Sequence, residues 1–70
     1  MVYRRLKELR EEAGWSQAQV AARLYCSQQA YSNYELGQRD LPTQTLIALA
    51  ALYDTTTDYL LEVDDRRRRQ

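Results

Sequence analysis

The sequence predicts an all-α protein, a compact five-helix bundle. Three observations carry that expectation. Apolar residues recur at spacings of three and four, cap-forming Ser and Thr residues stand ahead of each apolar stripe after the first, and only two Gly and one Pro punctuate 70 residues.

The first helix is expected from Val2, Leu6, Leu9 and Ala13, which share one face while Arg4, Lys7, Glu8, Glu11 and Glu12 lie outside it. Gly14 stands where a C-terminal cap belongs. Ser16 and Gln19 have the spacing of a capping box, in which the Ser hydroxyl accepts from the Gln amide N–H and the Gln side chain reaches back to the Ser N–H. That box opens a second helix over 17–24, with Trp15 placed to staple onto Val20 and with Val20, Ala21 and Leu24 inward. Ser27 caps a third helix over 28–36 after only Tyr25 and Cys26, so the chain turns at once into a new direction. Tyr31 and Tyr34 form its inner face; Gln28, Gln29, Ser32 and Asn33 form an outer face that is wholly amide and hydroxyl. Gly37 ends it, and 38–42 form a loop. Thr43 is expected to cap a fourth helix with Leu46, Leu49, Ala50 and Tyr53 inward and Asp54 at its close. One of Thr55, Thr56 and Thr57 caps a short fifth helix carrying Leu60 and Leu61. The domain is placed at 1–62, and 63–70 is expected to be a charged, disordered tail.

Composition narrows the function classes. A chain this short buries only about 60% of the surface its unfolded form exposes, which leaves little room for a cleft beside a core. There is no histidine, and Cys26 is the only cysteine, so neither a Cys/His zinc site nor an internal disulfide is expected. No nucleophile elbow or glycine-rich phosphate loop is present; neither enzyme activity nor a cofactor is expected. The longest apolar run, 46–52, is too short for a membrane span, and the absence of a visible export signal makes the cytoplasm the expected location. Formal net charge is +0. Through Leu61 six basic residues face seven acidic ones, and only Arg66, Arg67, Arg68 and Arg69 restore neutrality. Attraction to a polyanion must then come from local charge and helix N-termini.

Counted from Gln17, Ala21 is fifth, and Val20, Leu24, Cys26, Tyr31 and Tyr34 occupy the fourth, eighth, tenth, fifteenth and eighteenth positions. With Arg5-Leu6-Lys7-Glu8-Leu9-Arg10 before it and Tyr34-Glu35-Leu36-Gly37 after it, this segment resembles the phage-repressor and Cro-like (XRE) helix-turn-helix family. Leu41-Pro42, Thr45-Leu46-Ile47-Ala48-Leu49-Ala50 and Asp58-Tyr59-Leu60-Leu61 extend the resemblance over 3–61. It implies a lambda-repressor-like DNA-binding domain and a sequence-specific transcriptional regulator of double-stranded DNA, with repression the expected outcome. It further implies base reading by Gln28, Gln29, Ser32 and Asn33, phosphate contacts from Gln17 and Arg39, and a structural ion pair between Arg10 and Glu35. Two departures stand out: Tyr25 occupies the usual turn glycine, so it must accept a left-handed backbone or reshape the turn, and Asp40 stands where relatives often carry a base.

Bland readings compete with these. The outer face of the third helix can be a solvated surface, Tyr31 and Tyr34 are core, and Cys26 fills an apolar slot. The four arginines are either a loose tail or a tether for phosphates. One small module covers little DNA, so a homodimer on two half-sites, or a weakly associating monomer pair, is expected. The rival from another class is a protein-interaction module, either an antitoxin-like chain paired with a toxin or an adaptor without readout. Neutral charge favours it.

Overall fold

The computed structural model describes residues 2–67, which form α1 (Arg4–Ala13), α2 (Gln17–Arg23), α3 (Gln28–Glu35), α4 (Thr43–Leu52) and α5 (Thr57–Leu60). Three of the five helix starts are side-chain caps. Ser16 and Gln19 form the reciprocal capping box, with the Ser16 N–H donating to the Gln19 side chain at 2.8 Å and the Gln19 N–H to the Ser16 hydroxyl at 3.1 Å. Ser27 accepts from the Ala30 N–H at 3.1 Å, and Thr56 from the Tyr59 N–H at 2.9 Å. The expected cap at Thr43 is not one: Pro42 takes the N-cap position at φ −60 and ψ 149, and Thr43 is the first helical residue. Proline's ring presets that φ, and its carbonyl accepts the first helical bond from the Leu46 N–H at 2.9 Å.

All five helices end in the same way, with a residue at positive φ and a pair of bonds that satisfies the last free carbonyls. After α1, Gly14 (φ 75) donates to the Glu11 carbonyl and Trp15 to the Arg10 carbonyl. Gly37 (φ 77) does the same after α3. A Cβ at Gly14 would meet nothing within 4 Å, so it is the left-handed backbone, not crowding, that suits glycine there. The other three ends use Tyr25 (φ 57), Asp54 (φ 51) and Glu62 (φ 62), each costing about 1 kcal/mol relative to a right-handed backbone. The turn between α2 and α3 therefore keeps its shape and Tyr25 carries the strain.

These ends let α2 pack on α3, α1 on α3 and α5, and α4 on α5. The radius of gyration, 11.0 Å, matches the ~11 Å expected of a well-packed chain of this length. The core draws on every helix: Tyr3, Leu6, Leu9, Val20, Ala21, Tyr31, Tyr34, Leu49, Ala50 and Leu60. The stripe expected for the first helix needs correcting at both ends. Val2 is 55% exposed and Ala13 is exposed, because the helix starts at Arg4 and Tyr3, not Val2, turns inward. The Tyr3 hydroxyl accepts from the Leu41 N–H at 3.0 Å and donates to Asp40 at 3.4 Å, which ties the loop after α3 to the start of α1. Trp15 is half-buried against the Tyr53 ring, with centroids 5.7 Å apart, and the Arg23 guanidinium lies 4.5 Å above it.

Residues 63–67 run back along α1. Arg5 donates to the carbonyls of Tyr59 (2.6 Å) and Asp64 (2.8 Å), pairs with Asp65 (2.7 Å) and lies 4.0 Å from the Tyr59 ring centroid. Arg67 pairs with Glu12 at 2.9 Å, and its carbonyl accepts from the Thr55 hydroxyl. Arg68 and Arg69 lie outside the described residues. No helix among the described residues is long and apolar enough to cross a membrane.

Candidate nucleic-acid interface

α3 is held by one face and leaves the other open. Tyr31 is fully buried and Tyr34 nearly so, whereas Gln28 and Gln29 are exposed and Ser32 and Asn33 half-buried. The Gln29 amide donates to the Asn33 side-chain oxygen at 3.2 Å, so two of the four expected base-reading groups are already joined along the helix. At the C-terminal end of α3 the Asn33 carbonyl accepts from the N–H groups of Gln38 (2.9 Å) and Arg39 (3.3 Å). This bends the loop back over the C-terminal end of α3, where Arg39 is exposed.

Beneath the helix lies a polar cluster. Arg10 grips Glu35 with two bonds, Nε to Oε2 at 2.7 Å and Nη2 to Oε1 at 3.2 Å, and donates a third to the Trp15 carbonyl at 3.0 Å. The two side chains are 13% and 5% exposed. Gln17 also reaches Glu35, its amide donating to Oε1 at 3.2 Å. One of its two N–H groups is thereby used, leaving the other and its carbonyl for a ligand. Burial works to raise the Glu35 carboxyl's pKa, but Arg10, the facing Tyr31 hydroxyl and the Gln17 amide together outweigh it and hold the group below its ordinary range. The Tyr31 hydroxyl faces this carboxylate without meeting hydrogen-bond geometry, and burial and the nearby charge push its pKa up. Burial first, and then the charge of Glu35, also pushes the Tyr53 phenol, up to about 12. Burial raises the half-buried Cys26 thiol as well, which keeps it in its unreactive form.

The expected phosphate contacts therefore gather at one end of α3, where Gln17 approaches through Glu35 and Arg39 through Asn33. Most other cations are committed within the chain. Arg4 pairs with Glu62, Arg5 with Asp65, Arg10 with Glu35, Arg66 with Asp64 and Arg67 with Glu12. Among the described residues Lys7, Arg23 and Arg39 enter no ion pair, and Arg23 lies over Trp15. No group of metal-ligating side chains occurs among the described residues.

Sequence reasoning passed over the roles of Tyr3 and Arg5. Tyr3, Leu6 and Leu9 repeat at a spacing of three, a signal that competed with Val2 and could have been read. Nothing local marks Arg5, whose acceptors lie more than fifty residues away.

The sequence model of the Helix-turn-helix family matches residues 6–60. Three curated proteins of Bacillus subtilis (strain 168) are similar. They are the HTH-type transcriptional regulator ImmR (45% identical over 62 residues, 89% of this chain and 49% of that protein), the HTH-type transcriptional regulator AnsR (42% over 57 residues, 81% and 49%) and the uncharacterized HTH-type transcriptional regulator YobD (32% over 65 residues, 93% and 58%). The chain thus spans about half the length of these relatives. No solved structure matches it. The match over α1 to α5, with the tight turn between α2 and α3 at its centre, makes the chain a member of the Helix-turn-helix family, of the phage-repressor and Cro-like (XRE) type.

Proposed function

We propose that this chain binds double-stranded DNA in a sequence-specific way and regulates transcription, with α3 in the major groove. The observation that carries this reading is the two-sidedness of α3: Tyr31 and Tyr34 anchor it while Gln28, Gln29, Ser32 and Asn33 stand on an uncharged outer face, with Arg39 exposed at the helix's C-terminal end. Gln and Asn each present a donor and an acceptor at the spacing of adenine N6 and N7, and Ser bonds several bases. Gln17, at the start of α2, and Arg39 contact phosphates and set register; Arg10 and Glu35 hold α3 against α1. The names of the relatives, transcriptional regulators of the same family, support the assignment. The role is binding rather than catalysis, exercised in the cytoplasm as a homodimer on two half-sites, with repression as its output.

Titration into random and selected duplexes at several salt concentrations tests the reading. Gln28→Ala is expected to cost about 1–3 kcal/mol and to relax one base position, whereas Arg39→Ala weakens all sequences alike and lowers the salt slope by about one. Equal affinity for all duplexes, unchanged when Gln28 and Gln29 both become Ala, would refute it. That outcome would favour a protein-binding module, such as an antitoxin-like chain. The five internal ion pairs, which match those arginines to carboxylates of the same chain, are the observation on that side.

A further inference from the structure

We infer that Tyr25 is a DNA-backbone contact, its hydroxyl and ring meeting the sugar-phosphate strand that flanks the N-terminal end of α3. The inference rests on the DNA-reading role proposed above. Tyr25 closes α2 at φ 57, and its backbone is pinned by its own N–H on the Ala22 carbonyl (3.3 Å) and the Cys26 N–H on the Ala21 carbonyl (3.0 Å). The direction in which its side chain leaves the turn is therefore fixed. That side chain is 97% exposed and, among the described residues, forms no hydrogen bond or ring contact.

The two other non-glycine residues in this strained position have local reasons to be there. Asp54 belongs to a residue type that tolerates the left-handed region, and Glu62 uses its side chain to pair with Arg4 at 2.5 Å. Tyr25 has neither: a bulky ring accepts the strain and then packs on nothing in the chain.

Its position supplies the missing partner. Tyr25 precedes Gln28 by three residues, so their Cα atoms lie within about 11 Å even at full extension. The major groove is about 12 Å wide, and a helix entering it by its N-terminal residues has a phosphate strand on either side. The expected phosphate contacts, Gln17 and Arg39, lie toward the other end of α3. At the N-terminal end the Ser27 hydroxyl is occupied by the Ala30 N–H, and no cation is near in sequence except Arg23, which lies over Trp15. Besides Gln28, the expected base reader, Tyr25 offers an exposed side-chain donor there that no partner among the described residues engages. A phenol donates to a phosphate oxygen and lays its ring on deoxyribose without displacing a counterion.

Tyr25→Gly is the direct test, because it removes the ring and relieves the backbone together. Thermal unfolding should shift to higher temperature, while affinity falls about tenfold on random and selected duplexes alike, with base preference and salt slope unchanged. Tyr25→Phe, which keeps the ring, should lose a smaller part of that affinity. Unchanged affinity in Tyr25→Gly overturns the inference, as does a change of base preference, which would make Tyr25 a base reader. The Gln28→Ala, Gln29→Ala double variant separates this from the broader reading. If it leaves sequence preference intact while Tyr25→Gly weakens every duplex, base reading by the glutamines fails and the backbone contact stands. No binding to any duplex overturns both.

Discussion

Replacing Arg10 by Met should destabilise the chain by about 3–5 kcal/mol, the usual cost of leaving one charge of a buried pair without its partner. The magnitude follows from the geometry. The Glu35 side chain is 5% exposed, two of its bonds come from Arg10, and without them only Gln17 donates to it among the described side chains. Against a total of roughly 3.5–10.5 kcal/mol for a domain of this size, at about 0.05–0.15 kcal/mol per residue, the loss removes more than a quarter of the stability. Glu35→Leu should cost less, since Arg10 keeps the Trp15 carbonyl and its long stem can carry the charge toward water. The double variant, Arg10→Met with Glu35→Leu, leaves no stranded charge and should be more stable than Arg10→Met alone. Urea unfolding followed by circular dichroism at pH 7, arranged as a double-mutant cycle, measures all three. If Arg10→Met cost under about 1 kcal/mol, or the double variant lost the sum of the singles, the pair would be a surface contact in energetic terms and the argument for α3's register would fail.

Three further outcomes follow from the same structure. Because folding depresses the Glu35 carboxyl's pKa, its stabilisation is complete above the ordinary value near 4.5 and is lost as pH falls through the folded-state value; Glu35→Gln should flatten that acid limb in pH-dependent melts. Ser27→Ala removes the cap of α3 and should cost about 0.5–2 kcal/mol by urea unfolding, with DNA affinity falling as the first turn frays. Leu49→Ala, at a fully buried position, should cost about 2–5 kcal/mol, whereas Ile47→Ala on the same helix, 56% exposed, should stay within about 0.5 kcal/mol.

What the sequence revealed, and what it hid, divides by range. Caps are local chemistry, so Ser16 with Gln19, and Ser27, could be read directly from residue types a few positions apart. The inward tyrosines of α3 followed from spacing alone. Thr43 misled because a good cap residue and a proline stood side by side, and the proline's preset φ took the N-cap position. Val2 misled because the stripe was extended back past the helix start, where Tyr3 makes the turn instead. The pair of Arg10 and Glu35 was expected from resemblance rather than from spacing, since twenty-five residues separate them. Arg5 shows the limit most clearly: three acceptors near the C-terminal end hold it, and no window of sequence around residue 5 contains them.

The same long-range pairing decides how this chain would balance affinity against specificity. A neutral sequence could still present a basic face if its acidic residues were segregated elsewhere. Here they are not, because Glu62, Asp65, Glu35, Asp64 and Glu12 are each matched to an arginine. Arg39 is the unpaired cation placed beside α3, so each module is expected to neutralise about one phosphate and log K to fall with log salt at a slope near −1 per module. On the proposed reading, such a protein gains little from sliding on random DNA and depends on neutral contacts: amides on bases, Gln17 on a phosphate, and Tyr25 at the opposite end. Pairing two modules then roughly doubles both the slope and the number of base contacts, so a dimer keeps each module's balance of base reading over salt-sensitive affinity. A measured slope steeper than about −3 for a dimer would mean that the internal ion pairs open on DNA and release their arginines to the phosphates.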